Sequence, residues 1–367
     1  RSSDLTIGIK APGYYVQGAG ELDRLGKYVK KLGTSFLIVG SPNNKKRVGT
    51  RIMDSLNEVG KQAVYWEFGG QCSKQAIADA VMVAENHGCD AIIGVGGGKA
   101  LDTAKAAATN MGGVSTILIP TIASNDAPCS SVAVIYNDEG VVVKALMMNR
   151  NPDVVLVDTE LIAQAPKKYL VSGMGDALAT YFEARACWRS GAKTMARGQC
   201  SRTALALAEL CYQTLREHSV DALKSVEQHI VTPSLEAVVE ACVFLSGIGF
   251  ESGGLAAAHA VNDGLAYLSQ AKGASHGEKV AFGLLVQLQL EQASEQERDE
   301  VLSYLRQVGL PTCLADLGVT EVNEPELRKV AETANAPSQF TKNVRADITV
   351  EDVYNAIMSV DALGRHK

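Results

Sequence analysis

The first 160 residues repeat one pattern, a short run rich in β-branched and apolar residues followed by an amphipathic stretch. The runs are SFLIVG (35–40), AVYWEFG (63–69), DAIIGVG (90–96), STILIPT (115–121) and DVVLVD (153–158). Several are apolar on successive residues, which suits strands covered on both faces, as in a parallel sheet. Between the first four lie VGTRIMDSLNEVG, SKQAIADAVMVAENHG and KALDTAKAAATNMG, each with helical periodicity and a glycine at or near its end. Parallel strands need crossovers, and helical crossovers cover the sheet, so the repetition predicts an α/β domain built on a parallel sheet. Residues 131–146 interrupt the rhythm, because two β-branched runs flank NDEG and predict a hairpin.

From about residue 161 the strand pattern stops. Helices rich in Ala, Leu and Glu are expected over 175–188, 194–218, 233–247, 252–270, 276–293, 297–308, 324–336 and 350–363. At 367 residues the chain exceeds what one hydrophobic core usually serves. An α/β domain over 1–160 and an all-α domain over 161–367 are expected, with no internal repeat at solenoid periods.

Composition excludes several function classes. A net charge of −6 and the lack of a basic stripe argue against nucleic acid and anionic membrane as partners. The short NNKKR (43–47) reads as a solvated loop opening a helix. No uninterrupted apolar stretch approaches the roughly 18 residues of a membrane span, and RSSDLTIGIK has no apolar signal core, so a cytoplasmic location is expected. The eight cysteines show no CxxC pair, which predicts buried reduced thiols; Cys129 in DAPCSS alone lies near a functional-looking loop.

Two groups of residues carry chemistry, one in each half of the chain. In DAIIGVGGGKALDTAKA, Gly96, Gly97 and Gly98 fall between a strand and a helix. A backbone without side chains can press against a ligand there, and the first N–H groups of the helix favour an anion such as a dinucleotide pyrophosphate. PTIASNDAPCSS follows the next strand, where Thr121 and Ser124 could hydrogen-bond a nucleotide and Asp126 could face the reacting molecule. In the helical half, Asp176 of SGMGDALA, His259 of LAAAHA and His276 of SHGEKV sit among small or apolar neighbours. Taken singly, the aspartate reads as compensation of a helix dipole in a first turn, and each histidine as a core residue satisfied by a carbonyl. Together they form a mixed N/O donor set suited to Zn²⁺ or Fe²⁺, with positions left for water or substrate. His87, His218, His229 and His366 fit that role less well.

The segments GVGGGKALDTAKA, PTIASNDAPCSSVAVIYNDEG, GMGDALATYFEARA, GFESGGLAAAHA and SHGEKVAFG together resemble the glycerol dehydrogenases of the iron-containing (group III) alcohol dehydrogenase family. The resemblance runs from about residue 7 to about residue 310, and implies a dehydroquinate synthase-like fold of an N-terminal dinucleotide-binding domain and a C-terminal helical domain, with a divalent metal, commonly zinc. It implies metal ligation by Asp176, His259 and His276. It places Gly97, Gly98, Lys99 and Asp102 toward the cofactor's pyrophosphate, Thr121 and Ser124 on the cofactor, and Ser130, Val132 and Tyr136 at its nicotinamide end. Asp126 matches the residue that approaches glycerol. A homo-oligomer, often an octamer, is also implied.

The implied activity is oxidation of glycerol or a similar vicinal diol to dihydroxyacetone or a related hydroxyketone by hydride transfer to NAD. Dehydroquinate synthase and glycerol-1-phosphate dehydrogenase are alternatives on a similar fold, but both need a basic cluster for phosphate, and the helical motifs offer chiefly Lys279. A metal- and nucleotide-binding protein without turnover is a third reading. Three departures from the family pattern stand out. Ser41 replaces an aspartate after the first strand, which opens the question of NADP use beside NAD; Asn262 replaces a histidine one turn after His259; and ANAPSQFTKNVRADIT lacks a Met-Pro loop.

Overall fold

The computed structural model describes residues 6–137 and 142–365. Six strands form one parallel sheet: β1 (Tyr15–Gly18), β2 (Ser35–Gly40), β3 (Gln62–Glu67), β4 (Ala91–Gly96), β5 (Ser115–Pro120) and, after an intervening hairpin, β8 (Val154–Asp158). Their order is β1-β8-β5-β4-β2-β3, with every pairing parallel. The hairpin is β6 (Val132–Tyr136) against β7 (Val142–Met147), antiparallel as expected. The turn predicted at NDEG lies largely outside the described residues.

The central strands are apolar throughout because both faces are covered. Phe36, Ile38, Ile93, Val95, Ile117, Ile119, Val154 and Leu156 point into one core with helix residues such as Leu25 and Ile52, while Leu37, Val39, Ile92, Leu118 and Val155 are equally buried on alternate positions. Each fully buried side chain of this kind contributes roughly 1.5–3 kcal/mol. Edge strand β1 was not foreseen. Its four residues, YVQG, are only half-buried and carry no apolar run.

Strand β2 has β3 on one side and β4 on the other. The chain leaving β2 turns toward β3, and the chain leaving β4 turns the opposite way toward β5. The carboxyl ends of β2 and β4 therefore bound a topological switch point, where diverging connections leave a crevice for ligands.

The chain forms two compact units, one of Lys10–Pro166 with Lys224–Gly247, the other of Lys167–Leu223 with the chain from Ile248 onward. A single boundary near residue 160 was expected; instead residues 224–247 return to the α/β unit. Polar contacts tie them there: Gln17 Nε2 donates to the Glu236 backbone oxygen (2.9 Å) and carboxylate (2.6 Å), and Thr159 Oγ1 donates to Glu236 Oε1 (2.6 Å). Among the described residues one helix, Pro233–Gly253, is long and apolar enough to cross a membrane, but 67% of its apolar window is buried, as in a core helix.

Candidate metal centre

Asp176, His259 and His276 come together, each through a local feature of its sequence. Asp176 was expected in a first turn, but its helix is Lys167–Ser190, which places it mid-helix. The small residues before it serve a close crossing with helix His276–Leu290. A Cβ on Gly277 would overlap the Ser172 carbonyl, 2.6 Å from its carbon, so only glycine lets the two backbones meet there. His276 opens its helix behind Ser275, which with Glu278 forms a capping box.

His259 was expected inside one helix over 252–270. The structure breaks that stretch: Gly254 adopts φ 104°, ends the preceding helix, and a new helix, Ala257–Leu265, begins with His259 in its first turn. The carbonyl of Leu255 in the break accepts from Asn343 Nδ2 (2.8 Å) and the Cys187 thiol (3.2 Å).

His276 Nε2 and His259 Nε2 lie 3.2 and 3.4 Å from the same oxygen, Asp176 Oδ1. One donor atom from each residue falls within 4.8 Å of the others. Metal bonds of about 2.0–2.1 Å to nitrogen or oxygen put tetrahedral ligand atoms about 3.3 Å apart, so the donor set fits one divalent ion. The Asp176 side chain is 1% exposed and that of His276 41%, which leaves one side of the centre open to solvent. Burial opposes the Asp176 charge, but His276 and His259 outweigh it and hold the carboxyl well below its usual pKa. Burial likewise disfavours a charged His259 ring, and Glu183 and Asp176 overcome this, raising its pKa well above the ordinary value.

Glu183 is fully buried behind His259. Its Oε2 lies 2.6 Å from His259 Nδ1, and its Oε1 accepts from the Ala256 N–H (2.8 Å) and the His259 N–H (3.0 Å). Gln287, also fully buried, accepts from the Ala258 N–H (3.0 Å).

In the α/β unit, β4 ends at Gly96 with φ 147°, Gly97 caps, and Gly98 opens the helix Gly98–Asn110. This turn stands at the switch point. The Thr121 N–H donates to the Gly96 oxygen (3.1 Å), and Lys99 Nζ lies 4.8 Å from the centre of the Tyr136 ring, so the glycine turn, the loop after β5 and the hairpin share one edge. Thr121, Ser130 and Val132 are buried on it, and Ser124 and Tyr136 are half-buried. Asp126 is buried, with its Oδ2 accepting from Ser246 Oγ (2.6 Å). At Asp102, Oδ1 pairs with Lys105 Nζ (2.9 Å) and Oδ2 accepts from the Val134 N–H (2.9 Å).

Comparison with known proteins bears on both units. Residues 12–159 match the family model of iron-containing alcohol dehydrogenases. Glycerol dehydrogenase of Escherichia coli O6:H1 is 48% identical over 97% of each chain, and that of Pseudomonas putida is 48% identical over 98% of each. The crystal structure of glycerol dehydrogenase from Schizosaccharomyces pombe superposes with a TM-score of 0.94 at 34% identity, covering 98% of this chain and 91% of that one. The chain belongs to the iron-containing alcohol dehydrogenase family.

The departures from the family pattern now have structural settings. Ser41 caps the turn after β2, accepting from the Asn44 N–H (3.2 Å), and Lys45 beside it pairs with Glu67 at the end of β3 (2.8 Å). Asn262 is buried and donates to Asp263 (3.1 Å). The divergent C-terminal segment supplies Asn343 to the Leu255 break. All eight cysteines are buried and outside disulfides, and burial pushes the thiols of Cys72 and Cys200 up to about 11, as inert structural thiols require. His87 and His229 meet backbone carbonyls (2.9 and 3.0 Å), and His366 lies outside the described residues. Three functional neighbours escaped sequence reasoning: Glu183, Lys105 and Ser246. Spacing offered a signal for the first two, since Glu183 lies two turns beyond Asp176 and Lys105 one turn beyond Asp102. Ser246 meets Asp126 only through the fold.

Proposed function

We propose that this chain oxidises glycerol, or a similar vicinal diol, to dihydroxyacetone or the corresponding hydroxyketone with NAD, and that Asp176, His259 and His276 hold one divalent ion, zinc in preference to iron. The spacing of 3.2 and 3.4 Å about Asp176 Oδ1, in a chain 48% identical to a bacterial glycerol dehydrogenase, carries the reading. When bound, the ion supplies a Lewis acid for the secondary hydroxyl and the nicotinamide a hydride acceptor.

The chain's own residues bind and orient. The N–H groups at Gly97 and Gly98 take the cofactor pyrophosphate, with Lys99 adding positive charge. Thr121 and Ser124 hydrogen-bond the cofactor, and Ser130, Val132 and Tyr136 line its nicotinamide end. Asp126 accepts from a substrate hydroxyl while Ser246 steadies its other oxygen. NAD is preferred over NADP because Lys45, four residues after Ser41, is engaged by Glu67. The lyase and sugar-phosphate readings lack a basic cluster, and burial pushes the pKa of Lys279 down. The same reading takes the chain as a cytoplasmic homo-oligomer, an octamer by family likeness, which the solution mass of the purified protein tests.

The experiment is cofactor reduction from glycerol, propane-1,2-diol and glycerol 1-phosphate, with NAD and NADP side by side. Turnover of the diols with NAD is expected. Preference for the phosphorylated substrate, or no turnover of either diol, overturns the reading.

A further inference from the structure

Helix Ala257–Leu265 begins without a side-chain cap of its own, because its cap position is Ala256. Glu183, two turns along from Asp176 in Lys167–Ser190, fills that role from another helix. Its Oε1 takes the N–H groups of Ala256 and His259, and Gln287 takes that of Ala258 between them. The other oxygen of Glu183 lies 2.6 Å from His259 Nδ1. One buried carboxylate thus sets both where the helix starts and how its histidine ring is turned.

The consequence for the ring is chemical. An ionised carboxylate only accepts hydrogen bonds, so Oε2 requires the proton of a neutral His259 to sit on Nδ1. The lone pair is then on Nε2, the nitrogen 3.4 Å from Asp176 Oδ1. We propose that Glu183 is a positioning residue that locks His259 in the Nδ1–H form and aims the Nε2 lone pair into the metal centre. The inference rests on the metal reading of Asp176, His259 and His276. Carboxylates that orient metal-ligating histidines in this way typically change metal affinity 10–100-fold when altered.

Glutamine at this position separates orientation from mere packing. In Glu183→Gln the two backbone N–H groups demand the amide oxygen, which leaves the NH₂ facing Nδ1. Nδ1 must then accept, the proton moves to Nε2, and the ring presents N–H to the metal. Alanine removes the cap but imposes no proton position. A purely structural role predicts that Gln, the near-isostere, is milder than Ala in every assay. The orientation role predicts an inversion: Gln retains more stability than Ala when metal-free, yet binds zinc more weakly.

The test uses the full chain, stripped with a chelator, with zinc affinity measured by competition against a chromophoric chelator and metal-free melting followed in parallel. For E183Q we expect at least a 10-fold loss in zinc affinity, below that of E183A, with melting closer to wild type. Zinc binding by E183Q within about threefold of wild type, or tighter than by E183A, overturns the proposal, since a second-sphere carboxylate of this kind is worth 10-fold or more. Should E183Q not fold, E183D against E183A carries the comparison. Asp keeps the acceptor charge and must bind zinc more tightly than Ala; equal affinities overturn the proposal. Failure of wild type itself to bind one zinc sinks the metal reading instead, so the two failures are distinct.

Discussion

Replacing Gly277 by alanine tests whether the metal centre depends on the approach of two helix backbones. The added Cβ would overlap the Ser172 carbonyl oxygen and stand 2.6 Å from its carbon and 3.0 Å from the Ser172 Cα. Non-bonded carbons rest at about 3.5–4.0 Å, so the helices must part by about 1 Å. That movement would carry His276 Nε2, now 3.2 Å from Asp176 Oδ1, to about 4 Å, beyond the edge of about 3.3 Å that tetrahedral ligation asks for. Overpacking of this kind costs about 1–3 kcal/mol. Alanine's better helix propensity offsets at most about 1 kcal/mol, and less in a first turn. The expected net loss is about 1–2 kcal/mol, which at about 2–4 °C per kcal/mol is a drop of several degrees in the melting temperature of metal-free protein. The assay is thermal unfolding with and without zinc, beside a zinc titration. The stabilisation by zinc should shrink in the variant as its affinity falls. A variant that melts at or above wild type and gains as much from zinc would refute the reasoning.

Two further perturbations address the α/β unit. Lys105 is almost fully buried, pairs with Asp102 (2.9 Å), and donates to the carbonyls of Ala127 (2.8 Å) and Val132, so Lys105→Met strands a buried carboxylate and should cost about 3–5 kcal/mol in denaturant unfolding. A loss below about 1 kcal/mol, the level of an exposed pair, would contradict the bracing role. Asp90 accepts from the N–H groups of Thr34 and Ser35 and from the Thr34 hydroxyl. Slight burial opposes its charge, but these bonds win and lower its pKa from the usual 3.8. Its stabilisation is therefore present above about pH 3.8 and lost as pH falls through the depressed folded value. Asp90→Asn should melt lower than wild type at pH 7, with the gap closing under acid; a gap independent of pH would count against it.

How far the sequence alone reached follows from what each signal encodes. Central strands such as Ala91–Gly96 were legible because burial on both faces demands an unbroken apolar run, while Tyr15–Gly18 was not, because an edge strand makes no such demand. The grouping of Asp176, His259 and His276 was legible because polar residues in apolar surroundings need a reason. Their settings were misread. SGMG looked like a helix start and is a helix crossing, and ESGGLAAAHA looked like one helix and is two, because a single positive φ at Gly254 decides the matter. The partners of Asp102, Lys105 and the Val134 N–H, were not legible, because the second lies on the hairpin 32 residues on. Ser246 meets Asp126 across 120 residues, which no local pattern encodes, and Glu183 showed only its two-turn spacing from Asp176, since its partner His259 lies 76 residues further on.

The most direct test of the central claim is zinc content and glycerol-dependent NAD reduction, measured on one preparation as purified, after chelation, and after zinc is added back, with Asp176→Asn alongside. One zinc per chain, activity that disappears and returns with it, and an Asn variant that holds neither are the predicted results. Undiminished glycerol oxidation by fully stripped protein, or by the Asn variant, would contradict the account.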